Sequence, residues 1–155
     1  MSQLLELYRA VGNERYAKEI AKIAPYFGTI DAQFKELRPG YCALVIPNRA
    51  AVHNHLGTLH AIAMCNGVEL AAGLTTDVSI PGTRRWIPVA MTVRYLGMAK
   101  TDVHVECDGR GIDWSTMGDV VVPVAISDLN QKPILAAEVT MKISEKKPQG
   151  TSAPH

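Results

Sequence analysis

The sequence predicts an α+β domain in which a curved antiparallel sheet surrounds one buried helix. Residues 59–74 are apolar on nearly every side, so the helix that they predict needs cover all round. Four β-branched, alternating segments follow it with short turns between them, which favours antiparallel pairing. A length of 155 residues, with 47% apolar and 20% charged residues, is enough for one domain with a core. A sheet that curves around the helix is the simplest way to bury it.

Helices and loops are assigned from the spacing of apolar residues and from helix-ending residues. Residues 1–26 carry an apolar stripe at helical spacing and are predicted to form an N-terminal helical segment. A polar loop over residues 47–58 leads into the central helix, which is expected to end near Gly73. A second loop is expected over residues 75–85.

Six strands are predicted from β-branched, alternating or short apolar runs bounded by turn residues. They cover residues 29–37, 41–46, 86–95, 101–107, 120–127 and 134–143. The chain is therefore divided into one domain, residues 1–144, and a polar tail, residues 145–155, which is expected to be disordered.

Composition and charge exclude several classes of protein. A formal net charge of +1 gives no broad electrostatic basis for binding nucleic acid or an anionic membrane. No apolar stretch reaches about 18 residues without a polar interruption, so no membrane span is expected. The N-terminus lacks the pattern of a signal peptide, and three widely spaced cysteines fit buried thiols in a reducing compartment. We therefore expect a cytoplasmic protein.

Glu69 most needs an explanation, because a lone carboxylate in a buried helix is unfavourable unless it is paired or functional. His60 precedes it by nine residues. At about 100° and 1.5 Å per residue, the two lie on opposite faces and about 13.5 Å apart along the axis. If both are functional, two helices must lie antiparallel about a two-fold axis, so we expect a homodimer or a homotetramer. Asn66, one turn before Glu69, is placed to hydrogen-bond to it.

The start of the central helix has a chemistry of its own. Gly57 permits a close backbone approach, and the free amides near His60 and Ala61 carry the positive end of the helix dipole. Such amides can hold a carbonyl oxygen and stabilise the oxyanion that forms when it is attacked. A buried carboxylate that faces this carbonyl can serve as a general base for water or as a nucleophile.

The pattern Asn54-x-x-Gly57-x-x-His60, with an acid nine positions after the histidine, resembles the PaaI-type acyl-CoA thioesterases of the hotdog fold. The order of strands and helix matches that fold over roughly residues 30–143. Residues 91–97 resemble the strand that follows the helix in that family.

This resemblance implies a role for each matched residue. Glu69 takes the place of the catalytic acid, and Ala61 takes the place of the residue whose amide binds the oxyanion. His60 and Asn54 take the places that position the substrate or the attacking water. The family often has two glycines after the histidine, where this chain has Ala61 and Ile62.

The resemblance also implies an acyl-CoA substrate and no cofactor besides the coenzyme A of that substrate. The acyl group is expected along the central helix near Met64 and Val68. Arg84 and Arg85 suit contact with the phosphates of coenzyme A, because arginine binds phosphate oxygens in pairs. One turn after the acid, where some family members carry a hydroxyl residue, this chain has Gly73.

Structural interpretations compete with these functional ones. Glu69 can be a structural acid that pairs with a core partner such as Arg94. His60 can simply cap the helix. His53, His55 and His60 raise the question of a zinc site, but their spacing matches no zinc signature, so no metal is expected.

Two other functions remain open on the same fold. One is a protein that binds or senses acyl-CoA without hydrolysing it. The other is a hydratase, which usually needs an aspartate and a histidine a few residues apart in one loop. No such pair is visible in the sequence.

Overall fold

The computed structural model describes residues 1–150, which contain three α-helices, two short 3₁₀ helices and six strands. The α-helices are α1 (Gln3–Val11), α2 (Asn13–Ile23) and α3 (Ala61–Ser79). The 3₁₀ helices cover Pro25–Ile30 and Ala50–Val52. The strands are β1 (Gln33–Arg38), β2 (Tyr41–Ile46), β3 (Arg84–Tyr95), β4 (Val103–Asp108), β5 (Gly118–Asp128) and β6 (Pro133–Glu145).

All six strands form one antiparallel sheet in the order β1-β2-β4-β5-β6-β3. The strand that follows α3 therefore crosses to the far edge and pairs with β6. Helix α3 contacts every strand of this sheet. The predicted α+β class, with a curved sheet around a central helix, is confirmed.

The core of the domain lies between α3 and the sheet. Val68, Ala71 and Ala72 have no exposed surface, and the inward residues of β4 and β5 pack against this face of the helix. Small side chains on α3 allow the sheet to approach closely, as dense interior packing requires. This burial explains why the helix is apolar nearly all round.

Helix α3 continues to Ser79, so the predicted end near Gly73 and the predicted loop from residue 75 are wrong. Thr75 and Thr76 are fully buried, which their polar side chains would normally oppose. Each hydroxyl donates a hydrogen bond of 2.8 Å to the carbonyl oxygen four residues earlier. The hydroxyls are therefore satisfied within the helix and need no solvent.

Five of the six predicted strands agree with the structure to within two residues at either end. The exception is β1, which begins at Gln33 rather than at residue 29. The 3₁₀ helix at Pro25–Ile30 occupies the preceding residues and ends at Asp31, which adopts a left-handed backbone conformation. Strand β3 begins at Arg84, inside the predicted second loop. The predicted tail extends to residues 151–155, which lie outside the described residues.

The N-terminal residues form the predicted helical segment, and they pack on α3 and β1. Ser2 caps α1, because its hydroxyl accepts hydrogen bonds from the amides of Leu4 and Leu5 at 3.1 and 3.4 Å. Tyr16 is fully buried and packs edge-to-face on Phe34. Among the described residues, none of the helices is both long and apolar enough to cross a membrane.

Candidate active site

The loop before α3 is organised by the side chain of Asn54. Its Oδ1 accepts hydrogen bonds from the amides of Leu56 (3.0 Å) and Thr58 (3.1 Å), and its Nδ2 donates to the Thr58 hydroxyl at 2.9 Å. Gly57 adopts φ +73°, the left-handed conformation that favours glycine. In the single chain, the Asn54 amide is thus engaged within its own loop and shapes the entry to the helix.

His60 is the N-cap of α3, as the structural interpretation of this residue requires. Its Nδ1 accepts a hydrogen bond of 3.0 Å from the Ile62 amide. Because Nδ1 is the acceptor in this bond, a neutral His60 ring carries its proton on Nε2. Among residues 1–150, the Ala61 amide has no hydrogen-bond acceptor, as is usual in the first helical turn. Capping by His60 therefore leaves the amide of Ala61 open.

Glu69 is half-buried and makes no ion pair or hydrogen bond with any described residue. Arg94, the partner that a structural acid would need, lies elsewhere. It lines a cleft on the other face of the sheet with Glu106, Asp108 and Glu138, and no residue of α3 contributes to that cleft. The proposed pairing of Glu69 with Arg94 is therefore wrong.

Two cavities meet at Glu69. The first, the Glu69 cleft, has a volume of about 450 Å³ and lies between the 3₁₀ segment 25–30, α3 and Met91 of β3. The second, the inner pocket, has a volume of about 220 Å³ and lies under the N-terminal helices. Among residues 1–150, Glu69 is the sole charged residue in the lining of either cavity. A polar reacting group placed at this carboxylate would thus have an open cleft on one side and an apolar pocket on the other.

Asn66 lines the Glu69 cleft, but it does not bond to Glu69 as expected. Its Nδ2 donates to the carbonyl of Tyr26 at 3.1 Å and to the hydroxyl of Thr29 at 3.2 Å. Its buried Oδ1 has no partner among the described residues. Asn66 therefore ties the 3₁₀ segment to α3 and keeps an unused acceptor beside the cleft.

Residues 12–143 match the DUF4442 family, which is described as a domain of unknown function. The chain belongs to the DUF4442 family. No curated protein matches the sequence. A structural-genomics protein designated APC5556 is similar at 49% identity and a TM-score of 0.86, covering 93% of this chain and 97% of that one.

More distant structures share the fold of this DUF4442 protein. A Pseudomonas aeruginosa protein of unknown function, described as a probable thioesterase, is 20% identical with a TM-score of 0.75, covering 88% of this chain and 97% of that one. The thioesterase HI1161 from Haemophilus influenzae is 9% identical with a TM-score of 0.73, covering 86% and 93%. The predicted resemblance to the hotdog thioesterases is confirmed at the level of the fold.

Three predicted substrate-binding residues of the DUF4442 domain lie away from both cavities. Met64 is 4% exposed and belongs to the core between α3 and the sheet, so its side chain points away from the Glu69 cleft. Arg84 and Arg85 lie at the start of β3 rather than in a loop. The Arg84 guanidinium contacts Glu145 at 3.4 Å and the carbonyl of Ser115, and Arg85 donates to the Ser144 hydroxyl at 3.1 Å.

The histidines of the loop do not gather. The His53 ring bonds to the Asn48 side chain, and His55 is exposed. Within residues 1–150 of this DUF4442 protein, no group of three histidine, cysteine or acidic side chains is close enough to hold a metal.

Sequence reasoning missed a second group that borders the inner pocket. Trp86 lines the pocket, and its Nε1 donates a hydrogen bond of 3.0 Å to Asp77 on α3. Asp77 also accepts a hydrogen bond from the Ser2 hydroxyl. Asp77 was hidden inside a predicted loop. The available signal was Pro81-Gly82, which marks the true end of the helix and would have placed Asp77 on it.

Proposed function

We propose that this DUF4442 protein hydrolyses acyl-CoA thioesters as a homodimer. The observation that carries the proposal is Glu69, a half-buried carboxylate that has no partner among the described residues and lies where an open cleft meets an apolar pocket. Three free, buried cysteines support action in a reducing cytoplasm. Similar structures that are described as thioesterases provide further support.

A second chain is needed because one chain cannot complete the site. Ala61 and Glu69 are eight residues apart on one helix, which separates them by about 12 Å along its axis. A carbonyl oxygen held by the Ala61 amide would leave its carbon far out of reach of Glu69 in the same chain. Two antiparallel α3 helices would bring Ala61 of one chain to Glu69 of the other, twice per dimer.

The surface beside the site suits a second copy of the chain. Strand β3 is an edge strand, and Ile87 and Val89 on it are 59% and 50% exposed. Ile62, next to the open amide, is 52% exposed. An exposed apolar edge strand is normally covered by a partner. We therefore place the dimer interface along β3 and the start of α3, and a tetramer would be built from this dimer.

In the proposed reaction, the Ala61 amide of one chain holds the thioester oxygen. Glu69 of the other chain takes a proton from water as the water oxygen bonds to the carbonyl carbon, and the charge moves to the held oxygen. The C–S bond then breaks, and the departing sulfur takes the proton from Glu69. The products are a carboxylic acid and free coenzyme A. Direct attack by Glu69, through an anhydride that water then hydrolyses, gives the same products.

The coenzyme A moiety is proposed to leave through the open Glu69 cleft. Arg84 is already engaged by Glu145 and by a backbone carbonyl, so Arg85 is the more available of the two proposed phosphate contacts. Asn66 is proposed to help hold the attacking water, because its unpartnered Oδ1 can accept a hydrogen bond.

The test measures turnover on a panel of acyl-CoA substrates, with the release of free thiol as the readout. Burial raises the pKa of the Cys107 thiol to about 11, so the thiols of the folded protein add little background near neutral pH. Glu69→Gln should lower kcat by about two to four orders of magnitude, because it removes a positioned base. Glu138→Gln, on the opposite face of the sheet, is the matched control and should leave kcat unchanged.

The same panel separates hydrolysis from sensing. Tight binding of acyl-CoA without thiol release would support the non-catalytic alternative. Full activity in a folded Glu69→Gln protein would contradict the proposed role of Glu69 and would return this residue to a structural one.

A further inference from the structure

The inner pocket borders Glu69 and runs along α3 towards Gly73 and Leu74. Its walls are leucine and isoleucine side chains from α2 and α3, chiefly Ile20, Ile23, Leu70 and Leu74. Trp86 and Pro88 of β3 line it from the side of the sheet, and the end at Trp86, beside Gly73, is called the floor below. Among the described residues, the lining of the pocket is therefore apolar apart from the Glu69 carboxylate.

Trp86 forms the floor and packs closely on α3. Its indole ring lies so close to Gly73 that a Cβ at that position would be 2.8 Å from the Cη2 atom of the ring. On the other edge of the ring, Nε1 donates to Asp77 at 3.0 Å. Gly73 thus makes room for the indole.

Asp77 joins this end of the pocket to the N-terminal helix. One carboxylate oxygen accepts from Trp86 and the other from the hydroxyl of Ser2. The same hydroxyl caps α1 through the amide of Leu4, and the Leu4 side chain lines the pocket. One carboxylate therefore positions both the floor and part of the wall.

We infer that the inner pocket binds the acyl chain and that Trp86 sets the longest chain that fits. This inference rests on the proposed hydrolysis at Glu69. The distance from Glu69 to Gly73 along the helix is four residues, or about 6 Å. A chain of carbon atoms with bonds of about 1.5 Å advances about 1.3 Å per bond when extended. The pocket thus takes about five carbons beyond the carbonyl, which makes short acyl-CoA esters the substrate class.

The test measures kcat/KM for butanoyl-, hexanoyl-, octanoyl- and decanoyl-CoA in the full chain. For the wild type, kcat/KM should rise to hexanoyl-CoA and then fall. Trp86→Leu opens the floor and should move the optimum to longer chains, with a gain of about fourfold for each further methylene that becomes buried. Trp86→Phe, a smaller change, should show a lesser shift and guards against a folding defect in the first variant.

Two further variants separate positioning from general damage. Asp77→Leu removes the acceptor for the Trp86 indole and should broaden the chain-length preference, whereas Asp77→Asn keeps an acceptor and should retain it. Trp114→Leu is the matched control, because Trp114 bonds to the carbonyl of Gly109 and lies outside both cavities. It should leave the preference unchanged.

The outcomes distinguish this inference from the proposed function. If the wild type turns over acyl-CoA but the Trp86 variants keep its chain preference, the pocket is not the acyl subsite and hydrolysis still stands. If no substrate is turned over, the proposed hydrolysis is wrong. Calorimetric binding of butanoyl- and decanoyl-CoA to the wild type and to Trp86→Leu then tests whether the inner pocket binds the acyl chain. A Trp86→Leu protein that binds both esters as the wild type does would overturn the inference.

Discussion

Mixing two inactive variants of this protein should restore about a quarter of its activity. The first variant is Ala61→Pro, which removes the proposed oxyanion N–H. Ala61 is the first residue of α3, where proline is favoured, and His60 has φ −65° and ψ 136°, which suits a residue before proline. The helix should therefore persist while kcat falls by about 10²- to 10³-fold. The second variant is Glu69→Gln.

The magnitude follows from the geometry of one helix paired with its copy. Each proposed site takes Ala61 from one chain and Glu69 from the other. In a mixed dimer, one site carries both lesions and the other carries neither. Random exchange makes about half of the dimers mixed, and each has one intact site of two, so about a quarter of full activity returns.

The assay uses differently tagged chains, exchanged and then followed by native mass spectrometry and by thiol release. Ala61→Ser keeps the N–H and is the control for the first variant, since it should remain active alone. Confirmed mixed dimers with no more activity than their parents would refute the shared site. A stable, active monomer would refute it as well.

Two more predictions concern stability and pH. Gly73→Ala should lower the free energy of unfolding by about 1–3 kcal/mol in urea denaturation, since overpacking against Trp86 outweighs the helix propensity of alanine. This loss of stability should be smaller in a Trp86→Phe background. An equal loss in that background would contradict the contact between Gly73 and Trp86. The Arg110 guanidinium beside Asp108 lowers the pKa of that carboxyl to about 2. The stabilisation from this pairing is fully present above the ordinary aspartate pKa and is lost as the pH falls towards about 2. Arg110→Ala should therefore raise the Asp108 pKa in an NMR titration. It should also remove the contribution of this pair to the loss of stability in acid.

The overall architecture was predictable because burial leaves a mark in the sequence. The helix around Val68 stands out as a long run that is apolar nearly all round, and the strands show their alternation directly in the residues. The prediction failed at Thr75 and Thr76, where polar residues look like a loop. Their hydroxyls bond within the helix, and such bonds are visible only once the helix is known.

The site was predictable only in part, for a related reason. Glu69 stands out because a carboxylate is rare in a buried helix, and it lies beside two cavities with no partner in the part of the chain that the structure describes. Asn66 lies on the same helix, as predicted, but its hydrogen-bond partners are Tyr26 and Thr29. These residues precede it by 40 and 37 positions, so no local pattern reveals the contacts. The contact of Trp86 with Gly73 and Asp77 depends on how β3 packs on α3, and no local pattern encodes that packing.

The placement of β3 at the far edge of the sheet has a consequence for how the molecule folds. Its pairing with β6 joins residues as far apart as Arg84 and Glu145, which are 61 positions apart, whereas β4, β5 and β6 follow one another as a meander. Pairing between distant segments must close a long loop first, and it slows folding. Trp86 and Met91 arrive with β3, so the two cavities beside Glu69 take shape only when this loop has closed. A folding intermediate that has not yet made this pairing exposes β3 as an unpaired apolar strand, which favours aggregation. Pairing with β6 therefore completes the cavities and also protects one edge of β3 from aggregation.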